Sequence, residues 1–308
     1  MTTYTTMEIG VIGLGKMGSG LARRLARGGA RVVAFDRLPD TVRTLAAEPN
    51  IAGATSLTQL CSTLAAPRVV LMMLPAGGVV DQTIAELRPL LGRGDVLIDG
   101  GNSYYRDSQR RAADVAGAGI SYVDSGISGG IHGLDNGFCI MTGGSADAMA
   151  RVEPFVRVLA PGPDRGWIHC GPSGAGHYAK MVHNAIEYGM MQAFAEGFAL
   201  IDARSDLQID AGGLAEAWRH GSVVRSWLLD LCAGILNETG DLSGVAPVVA
   251  DSGEGRWAAL ESVELGVPTP VMAAALASRF VSQGRADYAN RMLAMMRARF
   301  GGHPITTA

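Results

Sequence analysis

The stretch "EIGVIGLGKMG", residues 8–18, limits the fold more than any other part of the chain. An apolar, β-branched run enters a glycine turn and leaves it with helical periodicity. Gly13, Gly15 and Gly18 fit G-x-G-x-x-G, a pattern that is weak alone and gains force from lying between a strand and a helix. Gly13 permits the tight turn, Gly15 lets a pyrophosphate approach the backbone, and Gly18 lets helix and strand pack closely. The helix start then offers N–H groups and a partial positive charge to phosphates. With Leu14 and Met17, the turn is a candidate dinucleotide site.

The alternation of strand and helix patterns continues along the chain. Residues 31–36, 68–74, 95–100 and 120–125 read as further buried strands, with helical patterns such as 16–29 and 79–94 between them. Two more strands, near 137–144 and 166–171, close the sheet. Strand–helix alternation predicts an α/β fold, a Rossmann-type doubly wound parallel sheet. After Gly174 the patterns turn helical: 174–204, 211–236, 254–264, 268–283 and 287–299. The expected organisation is a dinucleotide-binding domain over 7–172 and an all-α domain over 173–303.

The second strand ends in Asp36, eighteen residues past Gly18, where a carboxylate can accept from both hydroxyls of an adenosine ribose. It would repel a 2′-phosphate, which favours NAD, with NADP the weaker substitute. Arg37 beside it could stack on adenine or pair with that phosphate. Further loops follow strands on the same sheet edge: Leu74, Pro75 and Ala76 in "LPAGG", Asn102 in "DGGNS", and Ser128, Gly129 and Gly130 in "DSGISGG". Each alone reads as a turn; their convergence makes the edge a candidate site.

Composition removes several classes. The 308 residues carry 26 Lys and Arg against 29 Asp and Glu, a net charge of −3, which suits no nucleic-acid partner. No apolar stretch approaches the ~18 residues of a membrane helix, and "MTTYTT" lacks the features of a signal peptide. The four cysteines have no metal-ligand or paired spacing. A soluble cytoplasmic protein, without a metal and without a membrane partner, is expected.

The segment "KMVHNAIEYG", 180–189, puts Lys180, His183, Asn184 and Glu187 at offsets 0, 3, 4 and 7, one face of a helix. Desolvation lowers an ammonium pKa and raises a carboxyl pKa. Lys180 can therefore serve as a base and Glu187 as an acid, ~10 Å apart by helix rise, while His183 and Asn184 anchor hydroxyls.

With "GLGKMG", "DGGNS", "SGISGG", "GAGHYAKMVHNAIEYGMMQ", "DSGEGRW" and "RARFGGH", the chain closely resembles the 6-phosphogluconate dehydrogenases, decarboxylating, in their short bacterial form, from residue 8 to about 303. The wider β-hydroxyacid dehydrogenase group shares the glycine loop, S-G-G and the lysine, but typically reads K-x-x-N-N and lacks the Glu-Tyr pair. The resemblance implies conversion of 6-phosphogluconate to ribulose 5-phosphate and CO2, in the pentose phosphate pathway or gluconate utilization.

It implies Lys180 as general base and then acid, and Glu187 as the acid that protonates C1. It places Asn102, Ser128, Gly129, Gly130, His183 and Asn184 on the substrate, Asn102 also lying beside the nicotinamide. Tyr188 and Arg279 match phosphate holders. Arg297 and His303 match a C-terminal motif that completes the neighbouring site of a homodimer, with tetramers left open.

Longer members carry lysine and threonine where this chain has Ser252 and Glu254, and NADP-using members carry Asn-Arg-Thr where it has Asp36-Arg37-Leu38. Two other readings stand beside this one: a β-hydroxyacid dehydrogenase for a smaller acid, and a non-catalytic NAD-sensing protein.

Overall fold

The computed structural model describes residues 7–238 and 242–306. The chain divides into two compact units, one ending at Met181 and the other starting at Val182.

The first unit is built on eight strands: β1 (Glu8–Ile12), β2 (Arg31–Phe35), β3 (Ile51–Gly53), β4 (Val69–Met72), β5 (Val96–Asp99), β6 (Ser121–Ser128), β7 (Cys139–Gly143) and β8 (Trp167–Gly171). Their order in the sheet is β3-β2-β1-β4-β5-β6-β7-β8. The pairs from β3 through β6 are parallel, so the strand order reverses between β1 and β4, where such sheets bind ligands.

Helices α1 (Lys16–Arg27), α2 (Pro39–Ala46), α3 (Leu57–Thr63), α4 (Gly78–Leu87), α5 (Tyr105–Ala116), α6 (Gly133–Asn136) and α7 (Ala146–Leu159) complete the unit. Alternate strand residues feed two separate cores, as the period-2 geometry of a strand requires. Ile9, Val11, Leu71 and Ile98 pack with α1 and α7 through Leu21, Leu25, Val152 and Phe155. Ile12, Val33, Val70 and Leu97 pack with α3, α4 and α5 through Leu60, Val80, Ile84 and Val115. Both faces are thus covered, which is why the strands read as continuous apolar runs.

Two expectations need adjustment. β3 is only three residues long, too short to show a periodicity. β6 runs on to Ser128 because it pairs antiparallel with β7, from Asp124↔Gly143 to Ser128↔Cys139, so the stretch expected as a loop after residue 125 is largely strand. The connection between them holds a short 3-10 turn and the four-residue α6, too little for a parallel crossover.

The long helix α8 (Ala175–Ala203) begins within the first unit, because its first turns lie on the sheet. A Cβ on Gly176 would come within 2.6 Å of the Met141 carbonyl, and one on Gly126 within 2.3 Å of the Lys180 Cβ. The compact units therefore divide at 181/182, inside α8, while the change in sequence pattern near residue 172 lies just before that helix begins.

The second unit contains the remainder of α8 with α9 (Ala211–Arg219), α10 (Trp227–Glu238), α11 (Glu254–Leu265), α12 (Pro270–Ser282) and α13 (Asp287–Gly301). Residues 211–236 form two helices instead of one. Gly221 takes a φ of +81° between them, and Ser226 restarts the helix by accepting from the Leu229 amide at 3.2 Å. Ala215, Leu229 and Ala233 form a small core with Phe194 and Phe198 of α8. No helix among the described residues is long and apolar enough to cross a membrane.

Candidate active site

The candidate residues fall into two groups, one in each unit. In the first unit the glycine loop has the expected division of labour. Gly13 takes a φ of +88°, and a Cβ there would lie 2.4 Å from the Met73 carbonyl. A Cβ on Gly18 would lie 1.9 Å from the Gly13 carbonyl, whereas Gly15 faces open space. Helix α1 starts without a side-chain cap and without an acid in its first turn, leaving its first N–H groups to an anion. The Leu14 side chain is buried in the core, and half-buried Met17 packs against it.

Asp36 is tied to this loop. Its Oδ2 accepts from the Leu14 amide at 2.6 Å and its Oδ1 from the Leu38 amide at 2.9 Å. A carboxylate has about four acceptor positions, so both oxygens keep capacity for ribose hydroxyls. Beside it lies a cavity of about 590 Å³, lined by Asp36, Arg37, Val42, Ala54 and Thr55 among others, large enough for an adenine ring. These features fit a dinucleotide with a free 2′-hydroxyl.

The next two loops are joined by a residue that carries no mark in the sequence. Arg111, on α5, is 1% exposed. It donates to the Gly77 carbonyl at 3.1 Å, Asp81 Oδ1 at 2.8 Å, Asp99 Oδ2 at 3.2 Å and Ser103 Oγ at 3.1 Å. The Tyr122 hydroxyl donates to the same Asp99 oxygen at 2.8 Å, and burial together with Asp99 pushes its pKa up, keeping it a donor. Hydrogen bonding from Arg111 holds the Asp81 carboxyl below its usual range.

One buried cation thus fixes the loop after β4, carrying Leu74, Pro75 and Ala76, to the loop after β5. Asn102 projects, exposed, between buried Gly101 and Ser103. A buried arginine on a helix leaves no local sequence signal.

Ser128 ends β6, and Gly129 and Gly130 follow with φ of +140° and +54°, backbone that favours glycine. Lys180 is 7% exposed and packs against Gly126 of the same strand. One turn earlier, His177 is buried with its Nδ1 2.7 Å from Ser108 Oγ. Asp124 accepts from the Gly174 and His177 amides at 2.6 and 2.8 Å, so a strand carboxylate caps the start of α8. Burial raises its pKa, against the neighbouring His177 and these amides.

In the second unit, α8 presents His183, Asn184, Glu187 and Tyr188. His183 Nδ1 lies 3.0 Å from Asn184 Oδ1 and 3.8 Å from Glu187 Oε2. The Glu187 side chain keeps 40% of its surface exposed. The desolvation expected for it is therefore not supplied by the described residues of its own chain, which leave that face of the helix partly open. Tyr188 is buried; its hydroxyl lies 3.2 Å from Ser252 Oγ and accepts from the Ser252 amide at 3.3 Å. The Arg279 guanidinium sits 3.4 Å from the centre of the Tyr188 ring, so these two are brought together.

Arg297 and His303 are not brought to this cluster on their own chain. Arg297 is exposed on α13, which has no buried residue, and His303 is exposed beyond it.

Comparison with known proteins covers both units. Residues 8–170 match the family model described as the NAD binding domain of 6-phosphogluconate dehydrogenase, and residues 176–300 match that of its C-terminal domain. A Haloferax volcanii 6-phosphogluconate dehydrogenase, NAD(+)-dependent and decarboxylating, is 41% identical over 97% of this chain and 98% of its own. A Bacillus subtilis enzyme of the same description is 35% identical over 89% of this chain, which spans 61% of that longer relative. The Plasmodium falciparum 6-phosphogluconate dehydrogenase structure superposes with a TM-score of 0.83 at 29% identity, covering 98% of this chain and 66% of its own.

Proposed function

The chain belongs to the 6-phosphogluconate dehydrogenase family, and we propose that it oxidatively decarboxylates 6-phosphogluconate to ribulose 5-phosphate and CO2 with NAD. The observation that carries this reading is Lys180, buried against Gly126 on the helix that also bears His183, Asn184 and Glu187. NAD, when bound, accepts the hydride from C3 of the substrate.

Lys180, neutral, takes the proton of the C3 hydroxyl as that hydride leaves. The resulting ketone lies β to the carboxylate and accepts the electron pair released when CO2 departs. Lys180, now an ammonium, gives its proton to the forming enolate oxygen. Glu187 protonates the carbon that becomes C1 of the product, and Lys180 recovers the hydroxyl proton as the ketone forms. Asn102, Ser128, Gly129, Gly130, His183 and Asn184 hold the sugar acid, and Tyr188 and Arg279 hold its phosphate. The free Cys61, Cys139, Cys170 and Cys232 agree with work in the reducing cytoplasm.

Asp36 supports NAD over NADP, since its charge opposes a 2′-phosphate. A homodimer, with Arg297 and His303 of each chain serving the other's site, is supported by α13. Met292, Met296 and Phe300 recur every four residues on it and stand exposed, an apolar stripe that the described residues of its own chain leave uncovered.

Initial rates on 6-phosphogluconate with NAD and NADP, following reduced cofactor and CO2 together, test the reading. Equal appearance of both products, faster with NAD, is expected. Reduced cofactor without CO2, or no turnover, would overturn it. Mixing inactive Lys180→Ala and Arg297→Ala chains should restore activity if the sites are shared.

A further inference from the structure

The motif "DSGEGRW" does several structural jobs in seven residues. Gly253 takes a φ of +107°, Gly255 lets α11 meet the Tyr188 ring (a Cβ there would lie 2.8 Å from it), and Arg256 pairs through two nitrogens with Asp251 at 2.7 and 2.9 Å. Glu254 has no such obvious task. It is 2% exposed, at the first position of α11, where the helix dipole favours its charge. Its Oε1 accepts from Asn184 Nδ2 at 2.9 Å, and its Oε2 is buried without a hydrogen-bond partner among the described residues. Burying a carboxyl group with one oxygen unmatched is costly, so the bond that it does make needs a reason.

We propose that Glu254 fixes the tautomer of His183, acting through Asn184. An ionised carboxylate only accepts hydrogen bonds. Asn184 must therefore turn its NH2 toward Glu254, and its Oδ1 then faces His183 Nδ1 at 3.0 Å. An amide oxygen cannot donate, so the imidazole proton resides on Nδ1 and the lone pair on Nε2. Without Glu254 the amide is free to rotate by half a turn, offering NH2 to His183 and drawing the proton to Nε2.

Glu187 Oε2, at 3.8 Å from Nδ1, is beyond hydrogen-bond distance and supplies a weaker bias in the same direction. Glu254 is thus a positioning residue. It presents His183 to a substrate hydroxyl as an acceptor, a consequence that rests on the proposed function, whereas the tautomer itself does not.

Nitrogen-15 NMR of the unliganded protein, at alkaline pH where imidazoles are neutral, reads the tautomer directly, with His183 assigned from the signal missing in His183→Gln. The wild type is expected to show Nδ1–H, and an Nε2–H signal would overturn the proposal. Glu254→Gln, which keeps an acceptor, should retain Nδ1–H. Glu254→Ala, and the better-filling Glu254→Leu should the alanine variant fold poorly, should shift the population toward Nε2–H. Retention of Nδ1–H in a folded alanine or leucine variant would overturn the role of Glu254 and leave Glu187 as the group that holds the proton.

In turnover of 6-phosphogluconate, kcat/KM should fall about tenfold in the alanine variant and recover in Glu254→Gln. Wild-type protein with the expected tautomer and no turnover would sink the functional reading alone.

Discussion

The Arg279 guanidinium stacks over the Tyr188 ring at 3.4 Å and donates through Nη1 to the Ala250 carbonyl at 2.6 Å. A planar cation held between a ring face and a carbonyl has one orientation, here with Nη2 facing Met191 Sδ at 4.0 Å. A phosphate is recognised by such a fixed fork.

Arg279→Ala should accordingly raise the KM for 6-phosphogluconate on the order of 100-fold, the loss of a charge-assisted pair, while leaving the slow oxidation of unphosphorylated gluconate unchanged. Arg279→Lys should recover little, since an ammonium neither stacks nor forks as a guanidinium does. Steady-state kinetics with both substrates decides; parallel losses on the two would remove Arg279 from the phosphate.

Gly126→Ala places a methyl group 2.3 Å from the Lys180 Cβ and 3.0 Å from the Gly176 carbonyl. Neither atom is the end of a flexible chain, so strand and helix must part. The variant should lose about 1–3 kcal/mol of stability in denaturant titration and lose kcat more than KM, because the displaced group is the proposed base. Wild-type kcat in a folded Gly126→Ala protein would show that Lys180 tolerates the shift and is not the base.

Asp81 supplies a pH-dependent part of the stability. Hydrogen bonding from Arg111 holds its carboxyl below the ordinary value when folded. The unfolded chain therefore binds the proton more readily, and the contribution is present above the unfolded pKa of ~3.9 and vanishes as pH falls through the folded one. Asp81→Asn should be less stable than wild type at neutral pH, and the difference should close at strongly acid pH. Denaturation midpoints across that range measure it; a gap that widens in acid would contradict the assignment.

Asp36→Ser removes the charge that opposes a 2′-phosphate. The ratio of kcat/KM for NADP to that for NAD should rise by roughly 10–100-fold, equivalent to one to two pKa units of electrostatic free energy. An unchanged ratio would shift cofactor choice to Arg37.

Much of the dinucleotide half was legible because its determinants are local. Gly13, Gly15 and Gly18 act within one turn, and parallel strands buried on both faces read as apolar runs. The four polar residues of α8 were legible from helical spacing. Contacts between distant segments were not. Arg111 reaches the Gly77 carbonyl more than thirty residues away, and Glu254 reaches Asn184 across seventy.

The extension of β6 to Ser128 was hidden because its last residues, Gly-Ile-Ser, owe their extended form to β7 alone. The exposure of Glu187 was equally unreadable, since spacing fixes a helix face and not what covers it.

The bond from the Leu14 amide to Asp36 at 2.6 Å has an evolutionary consequence. The residue proposed to select the cofactor is also the brace of the turn proposed to receive its phosphates. A lineage that neutralises residue 36 alone shifts the ratio of the two dinucleotides, but the same step releases the amide at the mouth of the glycine loop and weakens binding of both. The route between the two preferences runs through a trough of activity. It is crossed only where an earlier, silent substitution has already provided the turn with another acceptor.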